Sequence, residues 1–278
     1  MTASGTTTWQ SWIGRTTTAT GWLDPEQANR MAVTLDREPT FTAGDPLPPA
    51  WQWLYFNDTV RASRLGEEGH PELGITMPPV PLPRRMWAAG RLQFTEPLWL
   101  GAQVQRRSTI KSVTPKQGGT GPLFFVTVEH DFSTDAVHHL LEEQTIVYRE
   151  MSAEAQLPRP APAPTDPELS TRWELDNTAL FRYSALTFNG HRIHYDADYA
   201  RNVEGYPDLV IHGPLIATLL ADLASRERRP LREFTYRAKS PLFLPHPFTV
   251  NGRTDGTSTQ LWATNHEGGL AMTAEARA

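Results

Sequence analysis

Residues 213–224, G-P-L-I-A-T-L-L-A-D-L-A, constrain the fold more than any other stretch of the chain. Leu215, Ile216, Leu219, Leu220 and Leu223 leave a helix almost no polar face, so it must be buried on nearly every side. A curved sheet wrapped around it is the economical cover. Arg226-Glu227-Arg228-Arg229-Pro230 then places cations at the helix C-terminus, where they complement its dipole, and a proline to stop it. Strands are expected at 233–238, 248–254, 260–264 and 271–276, each ended by Gly or Pro turns.

The first half repeats this order, helix and then strands. Asp24-Pro25-Glu26-Gln27 is a helix start: an Asp cap, Pro at the first position and Gln three residues after the cap. Ala28, Met31, Ala32 and Leu35 follow at helical spacing, predicting a helix to about Asp36. Prolines at 46, 48 and 49 permit a second helix only beyond Pro49, with Trp51, Trp53, Tyr55 and Phe56 as core packing or as the wall of a tunnel. Residues 57–83 lack periodicity and predict a long loop. Strands are expected at 91–94, 104–110, 123–132 and 144–148, with a turn over Gly118–Pro122. The reading is α+β, with an N-terminal half over 1–156 and a C-terminal half over 168–278. Between them, L-P-R-P-A-P-A-P-T-D-P at 157–167 predicts a semi-rigid linker.

Composition narrows the function. A net charge of −5 gives no reason to expect nucleic acid or an anionic membrane as partner. The absence of cysteine excludes disulfides and thiol chemistry. No apolar run reaches the roughly 18 residues that span a bilayer. The first residues lack a basic head followed by an apolar stretch, so a cytoplasmic protein is expected. No G-x-G-x-x-G follows a strand, which disfavours a dinucleotide enzyme.

The chemistry concentrates in F-R-Y-S-A-L-T-F-N-G-H-R-I-H-Y-D, residues 181–196. Tyr183, Ser184, Asn189, His191, His194 and Asp196 are interleaved with Phe181, Leu186, Phe188 and Ile193. Such a mixture suits a pocket with a few placed polar groups among apolar walls. Histidines with pKa values near physiological pH suit proton transfer. By residue type, His191, His194 and Asp196 could instead hold a metal.

This stretch resembles the S-G-D-x-N-P-x-H-x-D motif of the MaoC-like (R)-specific enoyl-CoA hydratases and dehydratases. The whole chain is most similar to their FAS1-like dehydratase branch, which includes mesaconyl-C4-CoA and itaconyl-CoA hydratases and 3-hydroxyacyl-thioester dehydratases. P-P-V-P-L-P-R-R-M-W-A-A-G-R at 78–91, I-H-G at 211–213 and Y-R-A-K-S-P-L-F at 236–243 carry the same resemblance. It implies a double hotdog, each half an antiparallel sheet wrapped around a central helix. It also implies an α,β-unsaturated acyl-CoA or acyl-ACP thioester as substrate, with no cofactor and no metal.

By that resemblance His194 takes the place of the catalytic histidine and Asn189 that of the catalytic aspartate, a departure because an amide cannot accept a proton. Either His194 acts as both base and acid, or Asp196 or His191 supplies the missing group. Gly213, at a helix N-terminus behind His212, would offer its N–H to the thioester oxygen, since free amides and the helix dipole face the developing charge. Tyr183, Ser184, His212, Trp87 and Arg237 are expected to bind substrate. Arg84 and Arg85 are candidates for an anion, either a second carboxylate or a CoA phosphate. A non-catalytic thioester-binding module is the alternative to an enzyme. No N-x-x-x-x-H motif appears in the first half, so one site per chain is expected, walled partly by a degenerate N-terminal half. Edge strands make a homodimer the expected assembly.

Overall fold

The computed structural model describes residues 8–119, 121–135, 137–150, 159–226 and 230–278. Ten antiparallel strands form one sheet: β1 Thr16–Trp22, β2 Arg84–Phe94, β3 Gln103–Gly118, β4 Gly121–Thr134, β5 Val137–Arg149, β6 Leu169–Trp173, β7 Glu233–Ala238, β8 Phe248–Asp255, β9 Ser258–Asn265 and β10 Leu270–Arg277. Their spatial order is β1-β3-β4-β5-β2-β7-β10-β9-β8-β6. Read outward from the β2–β7 seam, the first half runs 2-5-4-3-1 and the second 7-10-9-8-6. The two halves therefore share one topology: an outer strand, a helical excursion, an inner strand and a three-strand meander. The seam is a regular antiparallel ladder from Ala89↔Arg237 to Gln93↔Glu233.

The helices are α1 Pro25–Thr34, α2 Asn177–Leu186, α3 Ala197–Asn202 and α4 Gly213–Ser225. α4 is the apolar helix anticipated from its sequence. Leu215, Ile216, Leu219, Leu220 and Leu223 are all buried, and the helix packs on β7, β8, β9 and β10. α1 begins as expected, the Asp24 carboxylate accepting from Glu26 N at 3.0 Å. It packs on α2, so the halves are filled differently. Where the second half has thirteen residues of α4, the first has α1 and a 3-10 turn at Trp51–Leu54.

That turn replaces the helix expected beyond Pro49. Ala50 sits in the left-handed region at φ 69°, and the chain is extended again by Tyr55, whose hydroxyl donates to Asp24 O at 2.7 Å. Gln52 and Trp53 donate side-chain hydrogen bonds to the buried Glu142. These tertiary bonds, in an aromatic stretch of modest helix propensity, outweigh helix continuation.

β1 and β6 were not apparent in the sequence. They are the two sheet edges, and Thr16–Trp22 is mostly exposed, so neither shows a buried alternation. β2 begins at Arg84 rather than near Gly90. In the Pro-rich segment, Leu270 N donates to Ala161 O at 2.7 Å and Ala163 N to Gly268 O at 3.0 Å. Its described part is thus pinned to the β9–β10 turn. Leu157 and Pro158 of that segment, Thr120, and Glu227, Arg228 and Arg229 lie outside the described residues. No helix among the described residues is long and apolar enough to cross a membrane.

A buried ion pair ties the halves together beside the seam. Arg84 Nε, on β2, stands 2.7 Å from Glu204 Oε2 just beyond α3, both side chains at most 3% exposed. The guanidinium lies over the Tyr206 ring. Removing one partner of such a pair strands the other charge. Glu204→Ala should therefore lose about 3–5 kcal/mol in urea denaturation, while Arg84→Met/Glu204→Leu recovers most of it. A single variant within about 1 kcal/mol of the parent would show the pair to be dispensable.

Candidate active site

The stretch 181–196 splits at Leu186. Its first part is the C-terminal turn and a half of α2, which buries Tyr183 and Ser184 and leaves Phe181 exposed. Phe188 then takes a left-handed φ of 50° and turns the chain outward. Asn189 Oδ1 accepts from His191 N at 3.0 Å, an Asx turn that leads into a short 3-10 helix, Arg192–His194. This compact turn points both His191 and His194 inward, each 7% exposed.

An N-terminal loop closes over the turn because two glycines allow it. Gly69, at φ +94°, would place a Cβ 1.9 Å from Gly190 O, and a Cβ on Gly190 would sit 2.8 Å from Gly69 O. With no side chain at either position the backbones meet, and Arg192 N donates to Glu68 O at 2.9 Å. The contact delivers Glu68 and His70 to His191.

The result is a row of four imidazoles. His212 stacks on His194 at 3.7 Å between centroids, His194 meets His191 edge-on at 5.5 Å, and His191 lies 4.6 Å from His70. His194 Nδ1 lies 2.7 Å from Val210 O. A carbonyl oxygen can only accept, so Nδ1 carries the hydrogen and Nε2 keeps its lone pair. Burial, reinforced by His191, lowers the His194 pKa to about 3 despite the opposing Val210 bond. The ring is therefore neutral at pH 7. Burial likewise holds His212 well below the usual histidine value, with His194 and His191 adding to it. His212 Nε2 bonds Ser184 Oγ at 2.8 Å, and Tyr183 packs edge-on against the same ring at 4.9 Å.

His212 also precedes α4. Gly213 is the first residue of that helix, with Pro214 beside it, and its N–H has no acceptor among the described residues. Such first-turn amides have no partner within the helix. Trp87 walls this amide, a ring carbon lying 3.0 Å from where a Gly213 Cβ would be. Backbone donor, neutral imidazole and aromatic wall thus converge from α4, the 3-10 turn and β2.

Three groups of expected residues sit in other surroundings. Asp196 caps α3 through Tyr199 N at 2.9 Å and holds Arg192 at 2.7 Å. The Tyr199 amide, with Arg192, keeps its carboxyl below the ordinary aspartate value. Both oxygens are thus engaged in local structure. Arg84 and Arg85, expected to hold an anion, are paired within the chain by Glu204 and Glu68 at 2.7 and 3.1 Å. Arg237 alternates with the core residues Phe234 and Tyr236 along β7. It faces the other side of the sheet, where it lines a cleft of about 500 Å³ with Thr235, Trp262, Thr273 and Glu275.

The metal-ligand geometry also differs from the grouping suggested by residue type. Glu68, His191 and Glu204 bring ligand atoms within 4.8 Å of one another, His191 Nε2 standing 3.9 Å from each carboxylate. Arg84 and Arg85 already supply a cation to each glutamate, which removes the charge imbalance a divalent ion would relieve. Burial raises the Glu68 carboxyl more than Arg85 and His191 lower it. At Glu204 burial acts the same way but is overcome by His191 and the Arg84 and Arg149 charges, so its carboxyl stays low. Glu68 and His70 were missed in the sequence because they lie more than a hundred residues before His191, and Glu204 because α3 intervenes between it and His191.

Two-dimensional ¹⁵N–¹H spectra of the imidazoles should show His194 as the neutral Nδ1–H tautomer, with no titration between pH 8 and pH 5. A midpoint near the unperturbed value of about 6.5 would contradict the buried, neutral ring.

Comparison with known proteins places this geometry. The profile of the family described as "Htd2: Hydroxyacyl-thioester dehydratase type 2" matches residues 50–244. A mesaconyl-C(4)-CoA hydratase of Chloroflexus aurantiacus is 43% identical over 269 residues, 96% of each chain. The mitochondrial hydroxyacyl-thioester dehydratase type 2 of Schizosaccharomyces pombe is 28% identical over 245 residues, 78% of this chain and 80% of that protein. Among solved structures, a MaoC-like dehydratase superposes with a TM-score of 0.74 at 13% identity, covering 96% of this chain and 98% of the other. A Mycobacterium tuberculosis protein described as a double hotdog gives 0.59 at 11% identity, covering 97% and 98%. The fold is thus a double hotdog of α+β class, and the chain belongs to the hydroxyacyl-thioester dehydratase type 2 family of MaoC-like hydro-lyases.

Proposed function

We propose that the chain reversibly hydrates an α,β-unsaturated acyl-CoA, with a small dicarboxylic acyl group of the mesaconyl-C4 type as substrate. The observation that carries the reading is the pairing of a neutral His194, its Nδ1–H spent on Val210 O, with the Gly213 amide at the start of α4. Family membership and the 43% relative support a hydro-lyase acting on acyl thioesters. The Chloroflexus protein's name supports the acyl group.

In the hydration direction, His194 Nε2 removes a proton from water as the water oxygen bonds to the β-carbon. The C=C pair moves toward the thioester, and the Gly213 N–H receives the charge that builds on its oxygen. The Nε2–H then protonates the α-carbon, so one water adds and the imidazole ends neutral. One group serving in turn as base and acid removes the need for a second carboxylate. Asn189, its Oδ1 held by His191 N, is assigned to orienting the water through Nδ2. The burial of His194 keeps its lone pair available at any pH above about 3. Ser184 and Tyr183 position His212, and His191 shields the outer side of His194.

We assign the chemistry to residues 168–278, the wall of the acyl end to 1–156, and the connection to 157–167. The free edges β1 and β6 are the surfaces through which a cytoplasmic homodimer would assemble.

A spectrophotometric assay on mesaconyl-C4-CoA, itaconyl-CoA and unbranched enoyl-CoAs tests the reading. His194→Ala should lower kcat/KM by about 10³-fold or more, and Asn189→Ala should lower kcat with little change in KM. Tight binding of acyl-CoA with no turnover across the panel would instead make the chain a thioester-binding module. Asp196→Asn keeps a good helix cap and should retain more than about a tenth of the parent activity. A loss as deep as that of His194→Ala would return Asp196 to the proton-transfer step.

A further inference from the structure

We infer that Trp53, Trp87 and Tyr236 form a rigid three-ring stop that limits the acyl group to about the length of a short dicarboxylic chain. The inference rests on the proposed site, in which the Gly213 amide receives the thioester oxygen.

The three rings lie behind that amide. Trp87, which touches the Gly213 position, stacks on Tyr236 at 4.2 Å and an interplanar angle of 15°. Trp53 meets Trp87 edge-on at 5.4 Å and Tyr236 edge-on at 5.9 Å. The block spans the seam, Trp87 on β2 and Tyr236 on β7, while Trp53 comes from the 3-10 turn that replaces a helix in the first half. Interior volume that a full helix would define is filled by indoles instead.

The block is anchored as well as packed. Trp53 Nε1 donates to Glu142 Oε1 at 2.7 Å and Gln52 Nε2 to Oε2 at 3.1 Å, with Gln144 also donating to Oε1. Glu142 is fully buried, so these three donors are what make a carboxyl tolerable there. The same bonds fix the Trp53 indole in one orientation. Gly90 faces Tyr236 across the seam, and a Cβ there would lie 2.0 Å from the tyrosine hydroxyl. Its missing side chain is what admits the phenol.

Burial decides which end of the substrate meets the block. A pantetheine arm must lead to solvent, whereas the residues packed behind Trp87 are Tyr236, 3% exposed, and, through Trp53, Glu142, 0% exposed. The block therefore closes the acyl end. The first half, which supplies both indoles, thus closes the acyl end.

The test is kcat/KM for trans-2-enoyl-CoAs of four, six and eight carbons with the parent, Trp87→Ala, Trp87→Leu and Trp53→Phe. The parent should prefer four carbons to eight by at least about 100-fold, since even one methylene excluded from a pocket changes kcat/KM by about 10–200-fold. Trp87→Ala should raise the eight-to-four ratio at least about tenfold, and Trp53→Phe, which keeps a ring but drops the bond to Glu142, by less. If Trp87→Ala fails to fold by circular dichroism, Trp87→Leu carries the same readout. A parent that hydrates eight carbons as well as four overturns the inference. So does an unchanged ratio in folded Trp87 variants that still hydrate the four-carbon substrate, and in both cases the hydratase reading stands. A parent inactive on every thioester removes both.

Discussion

The β2–β7 ladder is the interaction on which the rest of the molecule depends. Backbone N–H and C=O groups must be paired wherever they are buried, and each half alone would leave an inner strand unpaired along one side. Joining those strands makes one ten-stranded sheet of two five-stranded halves. It also sets Trp87 of the first half against Gly213 of the second and Arg84 against Glu204. The candidate site is thus assembled across the seam, although the proposed proton-transfer group, His194, belongs to one half.

The second constraint is dryness. His194, His212 and Glu142 are removed from solvent: burial keeps both imidazoles neutral, Val210 O fixes the His194 tautomer, and three donors satisfy the Glu142 carboxyl. Where water is scarce, such bonds are stronger and an unpaired group costs more. The arrangement both orients His194 and stiffens the aromatic wall beside the Gly213 amide.

A departure at one position is absorbed by the arrangement around it. Asn189 cannot exchange a proton as an aspartate would, and Asp196, the nearest acid in sequence, is committed to the α3 cap and Arg192. In the proposed mechanism what remains is the neutral His194, with one free nitrogen, and the Gly213 amide at the start of α4.

Much of this was present in the sequence. The apolar run at 215–223 determined a buried helix and the Asp24-Pro25 start determined α1, local patterns governed by periodicity and capping. The 181–196 and 211–213 stretches pointed to His194 and Gly213 only through their resemblance to a known motif. Tertiary structure decided what depends on distant partners. Bonds to Glu142 stopped a helix at Leu54, the Gly69–Gly190 contact brought Glu68 and His70 to His191, and strand alternation turned Arg237 to the far face of the sheet. β1 and β6 escaped notice because an edge strand shows little of the buried alternation that marks a strand. A chain states its own periodicities, but which buried charge meets which partner is set only when the sheet closes and removes the water between them.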